Sequence, residues 1–300
     1  MSEAEQVSRA LNGRKAGAGY ICFCPSHENT RTPALSVSNG ADGRLLVKCH
    51  RGCDGREVIA ALQARGIISG GGERAAPPDP AEAARRRQKE HQKLAQRLAF
   101  SNKVFSQGRT CEGTRAEKYL VEARRIEGLR FGKLKNTLRF HGEVLHSPSG
   151  DYLPAIIAQI RGANGRALGI HRTYLRPDGS GKADVTPNKM MLGPSAGGAV
   201  RFGPDGPVIA LAEGIETALS VARASRLTVW ATLSTSGLKG LILPPPPVAE
   251  VVIICADNDE AGLSAAEFKA GQLEAEGRVV SIIHPPKAGE DFNDVLRGKK

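Results

Sequence analysis

The stretch Val251-Val-Ile-Ile-Cys-Ala-Asp-Asn-Asp-Glu-Ala-Gly262 decides the fold, because it joins a buried strand to acidic residues and then to a helix. Its opening apolar run is typical of a strand that helices cover on both faces. Similar apolar strands are predicted at 208–212, 227–233 and 278–284, with helices at 216–224 and 263–276. Strands and helices that alternate in this way indicate an α/β unit with a parallel sheet.

Acidic residues follow three of these predicted strands at the point where each strand ends. Ligands of open α/β sheets bind beyond the carboxyl ends of the strands, and carboxylates that converge there repel one another unless a cation lies between them. Oxygen ligands of this kind suit Mg²⁺ or Mn²⁺, which serve phosphoryl and nucleotidyl transfer. The acids and their neighbours are Glu213, Glu216, Asp257, Asp259, Asp291, Asn293 and Asp294.

A helix cap is the alternative explanation for Asp257-Asn-Asp259, since Asp and Asn commonly cap helices. That explanation would be preferred for one cluster alone. It is less favoured for three clusters that all follow strands. Asp259 is able to act both as a helix cap and as a metal ligand.

A Cys/His cluster near the N-terminus predicts a structural zinc site. Cys24 and His27 precede Cys49 and Cys53 by a spacer that fits two strands, and zinc prefers four such ligands in a tetrahedron. With four protein ligands no position remains open for water, so the site is expected to be structural. His50 is an alternative partner for Cys53, and Cys22 is a spare thiol.

The charge of the chain is unevenly distributed. The 300 residues carry a net charge of +11, yet residues 81–140 hold 16 Lys and Arg against 6 acids, whereas residues 201–300 hold 10 against 13. A long one-signed excess is typical of contact with a phosphate backbone. The run of Arg85, Arg86 and Arg87 alone would also fit a solvated helix.

Composition excludes several classes of protein. Apolar residues make up 40% and charged residues 24%, as in a globular chain. No apolar stretch is long enough to span a membrane, and the acidic N-terminus is no secretory signal. A cytoplasmic protein is expected, in which six cysteines indicate metal ligands or buried thiols rather than disulfides.

The predicted fold is α+β and multidomain. Residues 1–68 form a zinc-ribbon-like domain, and 69–113 form a Gly/Pro-rich linker followed by a basic helix at 81–107. Residues 114–205 form a basic α+β region with a hairpin at 154–175, and 206–300 form the α/β unit.

Two motifs together resemble a known family. Glu213-Gly-Ile-Glu-Thr-Ala-Leu and Asp257-x-Asp259-x-Ala-Gly resemble a Toprim domain, while Cys24-Pro-x-His with Cys49-His-x-Gly-Cys resembles the zinc-binding domain of DnaG-like primases. In this order they are similar to the primases of phages, plasmids and integrated elements. No Walker-type loop follows, so the resemblance is to primases without a fused helicase.

The resemblance implies a role for each matching residue. Glu213 would be the general acid/base or a metal ligand, and Asp257 with Asp259 the metal-binding pair. Asp291 would open the late acidic motif, whose next position stays open between Asn293 and Asp294.

Basic residues before the Toprim unit resemble the segment that faces template and nucleotide in primases. Arg172, Lys182 and Lys189 are therefore predicted to contact phosphates. The positive excess of residues 81–140 separately predicts that Arg85, Arg86 and Arg87 contact DNA. Gly179-Ser-Gly-Lys182 is no P-loop, because it lacks the upstream glycine and the following Ser or Thr.

The resulting hypothesis is a DNA primase that makes short RNA primers on single-stranded DNA from nucleoside triphosphates. It would hold structural zinc and catalytic Mg²⁺ or Mn²⁺, and a replicative helicase is a candidate partner. The alternatives are a Toprim-type nuclease and a non-catalytic protein that binds single-stranded DNA during replication.

Overall fold

The computed structural model describes residues 2–27, 32–40, 43–69 and 80–298 of the chain. They fall in two compact units, residues 1–89 and 90–300. Most of the predicted linker, 69–80, lies outside the described residues. In the described ranges, no helix combines the length and apolarity needed to cross a membrane.

The first unit contains a four-stranded antiparallel sheet with a helix before it and a helix after it. Leu35 and Val37 on the third strand point into the core, the period of two expected of a half-buried strand. Val58 and Leu62 of the second helix pack into the same core. The elements are α1 (Glu3–Ala10), β1 (Arg14–Ala16), β2 (Gly19–Cys22), β3 (Leu35–Asn39), β4 (Leu45–Cys49) and α2 (Gly55–Ala64).

The predicted basic helix is present as a 28-residue helix, α3 (Pro80–Gln107). Short helical segments follow it in the second unit. They are α4 (Arg115–Lys118), a π-helical turn (Tyr119–Ala123) and α5 (Phe131–Leu134).

An antiparallel sheet follows, with its four strands in sequence order. The predicted hairpin lies at its centre, where Ile156 pairs with Thr173 and Ala158 pairs with His171. The strands are β5 (Leu138–His146), β6 (Asp151–Arg161), β7 (Ala167–Tyr174) and β8 (Lys189–Leu192).

A five-stranded sheet makes up the C-terminal part of the second unit. Four of its strands run parallel, as predicted, and helices connect them. The elements are β9 (Val200–Phe202), β10 (Val208–Ala212), α6 (Ile215–Ser225), β11 (Thr228–Ala231), α7 (Thr235–Gly240), β12 (Val251–Cys255), α8 (Glu260–Ala275), β13 (Val279–Ile283) and α9 (Phe292–Arg297).

The order of this sheet is β13-β12-β10-β11-β9, and β9 pairs with β11 in the antiparallel direction. The edge strand β9 therefore comes from the segment that precedes the predicted Toprim unit. Both sheets of the second unit share one core, in which Phe140 and Ile156 pack with Ala210 and Leu219.

Candidate active site and metal centre

The carboxyl ends of three parallel strands bring the predicted acids to one edge of the sheet. Ala212 at the end of β10 pairs with Cys255 at the end of β12, so Glu213 and Asp257 leave the sheet side by side. The loop after β13 is tied to the same edge, because the Asn258 amide donates to the Glu290 carbonyl at 3.0 Å. Asp291 is brought to this edge by that loop.

Two of these acids also cap helices, as was expected for Asp259. Its Oδ1 accepts from the Gly262 amide at 2.7 Å at the start of α8, and Asp291 Oδ1 accepts from the Asp294 amide at 2.8 Å. Gly262 is required here, because a Cβ would lie 2.6 Å from the Asp257 carbonyl oxygen. Each cap fixes the position of its carboxylate through Oδ1 and leaves Oδ2 for a metal ion.

The electrostatics of this edge favour a cation. Burial, followed by the charges of Glu213, Asp291 and Asp259, raises the pKa of Asp257 to about 7. Burial and the charge of Asp259 also raise the pKa of Glu213. Asp257 Oδ1 is buried without a hydrogen-bond partner among the described residues. A divalent cation would satisfy this oxygen and relieve the repulsion, so these residues fit Mg²⁺ or Mn²⁺.

Asn293 and Asp294 were left open as the next position of the late motif. Asn293 is wholly buried, and its amide nitrogen donates to the Arg124 carbonyl at 2.8 Å and to Ser220 Oγ at 3.0 Å. It therefore links α9 to α6 and to the chain after the π-helical turn. Asp294 Oδ1 lies 3.8 Å from Arg297 Nη1 in the next turn of α9.

Glu216 was grouped with the acids of the sheet edge, but its carboxylate lies in a separate buried network. Lys182 Nζ lies 3.0 Å from its Oε1 and Lys189 Nζ lies 3.6 Å from its Oε2. The Tyr119 hydroxyl donates to Oε1 at 2.7 Å and accepts from Arg124 Nε at 2.8 Å. Burial alone would raise the pKa of Glu216, yet the two ammonium groups and Tyr119 hold it well below its usual range.

Of the two lysines, Lys189 stands between Glu216 and the acidic edge, while Lys182 is paired with Glu216. Lys189 lowers the pKa of both Glu213 and Asp257, which places its charge near them. The structure brings Lys189 beside the predicted metal ligands within one unit, and Lys182 joins it through the shared counter-ion Glu216. A phosphate with its bound metal ion would therefore lie between the acids of the sheet edge and the lysines.

Arg172 is placed differently from the expectation. Only 6% of it is exposed, and its guanidinium donates to the carbonyls of Leu145 and Met191 at 3.2 and 3.1 Å and lies over the ring of Tyr174. These bonds tie β7 to its neighbour β8 and to β5, two strands away, and burial keeps the guanidinium from a phosphate, although Nε has no partner among the described residues. We therefore leave Arg172 out of the proposed phosphate contacts.

Replacing Glu216 with glutamine should lower the free energy of unfolding by about 2 kcal/mol, because two lysines lose their buried counter-charge. The same change at Glu267, an exposed residue of α8, should have no measurable effect. Urea unfolding followed by the fluorescence of Trp230 reports the second unit alone, since this is the single tryptophan of the chain. Equal stability of the two variants would contradict the role of Glu216.

The pKa of Asp257 also predicts how stability depends on pH in the absence of metal. The folded state holds a proton up to a pH of about 7, whereas the unfolded chain releases it near 4. The folded state therefore binds more protons in this window, and stability falls as the pH rises through it.

Partial exposure reduces the expected loss to about 2 kcal/mol between pH 4 and 7. Asp257→Asn should remove this part of the pH dependence, and Asp151→Asn, at an exposed position of β6, should retain it. Urea midpoints measured across the pH range in chelator test both statements. An unchanged slope in Asp257→Asn would show that another group is responsible.

The four predicted zinc ligands meet in the first unit. The ligand atoms of Cys24, His27, Cys49 and Cys53 all lie within 4.8 Å of one another. His27 Nδ1 is 3.1 Å from Cys53 Sγ and 3.8 Å from Cys49 Sγ. Burial and the neighbouring thiols raise the pKa of Cys53 to about 11. Three thiols and an imidazole at these distances fit a tetrahedral zinc ion.

The alternative ligands lie elsewhere. His50 Nε2 is 2.7 Å from Ser36 Oγ, on the neighbouring strand β3, and Cys22 is fully buried in the core of the first unit. The remaining cysteines, Cys111 and Cys255, are also buried, and burial raises the pKa of each thiol to about 12.

Arg85, Arg86 and Arg87 are exposed on α3, in the part of the helix assigned to the first unit. These exposed positions add positive charge to the surface of the helix. Contact with DNA stays a prediction for these three residues.

Sequence reasoning did not find Tyr119 and Arg124, which complete the network around Glu216. They lie in a short helical segment about 90 residues before Glu216, with no motif of their own. The signal that was present is the spacing of Glu216, three residues after Glu213 and inside the first turn of α6.

Comparison with family models divides the second unit in two. Residues 208–300 match the model described as a Toprim domain, so this predicted domain is confirmed. Residues 95–202 match a model described as a domain of unknown function, DUF7146. No curated protein matches the chain in sequence.

Several solved primase structures are similar to the chain. A DNA primase domain from Pseudomonas aeruginosa is 18% identical over 67% of this chain and 74% of that one, with a TM-score of 0.45. The zinc-binding and RNA polymerase domains of the Aquifex aeolicus primase are 17% identical over 100% and 80%, also at 0.45. The E. coli primase catalytic core is 14% identical over 69% and 76%, at 0.42. Similarity of this degree assigns no activity by itself.

Proposed function

We propose that this chain is a DNA primase that synthesises short RNA primers on single-stranded DNA by metal-dependent nucleotidyl transfer. The observation that carries the proposal is the position, within the second unit, of Lys189 beside the Toprim acids, with Lys182 held next to it on Glu216. Nucleotidyl transfer needs both parts, since the metal ligands must be negative and the groups that receive a triphosphate must be positive.

Glu213, Asp257, Asp259 and Asp291 would hold Mg²⁺ or Mn²⁺. Such ions, when bound, neutralise phosphate oxygens and lower the pKa of an attacking hydroxyl. Glu213 would be able to exchange a proton as well as bind metal, because its pKa is raised and it leaves the sheet beside Asp257. Lys182 and Lys189 would orient the triphosphate and balance its charge.

The zinc cluster supports a separate role for the first unit. It fixes two loops on a small sheet, and the exposed arginines at 85–87 add positive charge to the same unit. We infer that this unit contacts the DNA template through phosphates, while zinc is structural.

A Toprim-type nuclease is the second candidate, because an acidic edge that binds metal can also cleave a phosphodiester. A nuclease has no use for a nucleoside triphosphate, so the lysine pair around Glu216, with Lys189 beside the acids, favours the primase. The two functions differ in that a primase requires added nucleoside triphosphates and a nuclease does not.

The test incubates the full chain with circular single-stranded DNA, labelled ribonucleotides and Mg²⁺, and separates the products on a denaturing gel. Short labelled products that require template, nucleotides and Mg²⁺ are expected. Shortening of an end-labelled linear DNA without added nucleotides would instead identify a nuclease. Absence of both products, with normal binding of DNA, would indicate a non-catalytic binding protein.

A further inference from the structure

The far end of α6 carries a second basic site, remote from the acids. The helix starts beside Glu213 and runs for 11 residues to Ser225, which separates its two ends by about 16 Å. A cavity of about 520 Å³ opens at this C-terminal end, a size that suits a nucleotide unit. The floor is apolar and is formed by Leu129, Leu134, Phe202, Leu219 and Leu227.

The rim of this cavity is positively charged. Arg130, Lys133 and Arg226 line it, and all three side chains are exposed. None of the three makes a hydrogen bond or ion pair through its side chain with any residue that the structure describes. Cations gathered in this way repel one another unless an anion joins them.

Arg226 ends α6 at a φ of 62°, in the left-handed region where glycine is usual. Its position near a helix C-terminus suits the helix dipole, but Arg130 and Lys133 come from another segment and gain nothing from α6. A shared ligand explains all three.

The positive surface continues into an adjoining cavity of about 570 Å³. The two cavities share Arg223, and the second one is lined by Arg125, Arg297 and a single acid, Glu127. Arg125 also adopts a left-handed φ, of 58°. Cations that extend over two cavities match successive phosphates of a strand better than the single phosphate group of a free nucleotide.

We propose that this surface binds single-stranded nucleic acid, with a base against the apolar floor and phosphates on Arg130, Lys133 and Arg226. Apolar contact with an unpaired base and salt-dependent phosphate contacts are the usual parts of such sites. The proposal concerns binding at a place distant from the acids, and it does not depend on which reaction the acids perform.

The test measures fluorescence anisotropy of a short labelled oligothymidylate with the full chain over a range of salt concentrations. The double variant Arg130→Ala with Lys133→Ala should bind about tenfold more weakly, and its salt slope should fall by about two. The control pair, Arg166→Ala with Lys287→Ala, removes the same charge from other exposed positions and should bind like the wild type.

Three outcomes would overturn the proposal. The first is unchanged binding of the oligonucleotide by the double variant, and the second is an equal loss in the control pair. The third is a double variant that binds ATP, added as a competitor, more weakly but binds the oligonucleotide as before. Both exposed side chains can be removed without loss of the fold, which an unchanged urea midpoint from Trp230 fluorescence confirms. Asp257→Asn should bind the oligonucleotide normally, so failure of this proposal and failure of the catalytic proposal are distinguishable.

Discussion

Replacing Asp257 with asparagine should reduce primer synthesis by about 10²-fold or more, while the protein becomes more stable. The first effect follows because a neutral amide cannot supply the charge that holds a divalent cation. The second follows because the wild-type carboxylate is partly buried, faces three other acids and leaves Oδ1 without a partner among the described residues. Opposite changes in activity and stability are the mark of a functional carboxylate.

The measurement pairs the primer assay with urea unfolding near pH 8, where the wild-type carboxylate is charged. Asp151→Asn, at the exposed start of β6, makes the same chemical change away from the sheet edge and should alter neither quantity. Undiminished product from Asp257→Asn would rule out this residue as a ligand of the catalytic metal. Loss of both activity and stability would point to a structural role instead.

Removing zinc should unfold residues 20–60 and leave the second unit intact. A structural zinc site contributes on the order of 10 kcal/mol, more than the whole stability of a unit of this size. The sheet of the first unit depends on the cluster, because Cys49 ends β4 and Cys24 follows β2. Without the ion, three thiols and an imidazole would have to remain crowded within 4.8 Å.

Two histidines of the first unit supply the matched variants. His27→Ala removes a ligand, whereas His50→Ala removes only the contact with Ser36. Zinc content by metal analysis and proteolysis of the first unit should change in His27→Ala alone, and Trp230 fluorescence should change in neither. Normal zinc content in His27→Ala would refute the ligand set, and a loss in both variants would return His50 to it.

Features that depend on a local sequence pattern were predictable from the sequence. The parallel strands were found because apolar runs alternate with helical segments, and the acids were placed because such strands end at a common edge. The zinc ligands were found from two short spacings. The choice between His50 and Cys49 was open, because it depends on the direction in which β4 presents His50 toward Ser36.

Features that depend on distant partners were not predictable. Glu216 was grouped with the edge acids, but its carboxylate is buried in ion pairs with Lys182 and Lys189. Both lysines lie in a segment well before Glu216 in the chain. Arg172 belongs to a run of β7 in which consecutive residues are all buried, so no alternation indicates which side chain reaches solvent. Strand β9 has three residues, too few for any period.

The antiparallel edge strand β9 has a practical consequence for dividing the protein. A fragment that starts at residue 206, where the Toprim unit was expected to begin, would lose β9 and leave the edge of β11 unpaired. An open edge beside the buried Val229 and Trp230 invites association with other chains. A soluble Toprim fragment therefore has to begin before Val200, so that it carries its own edge strand.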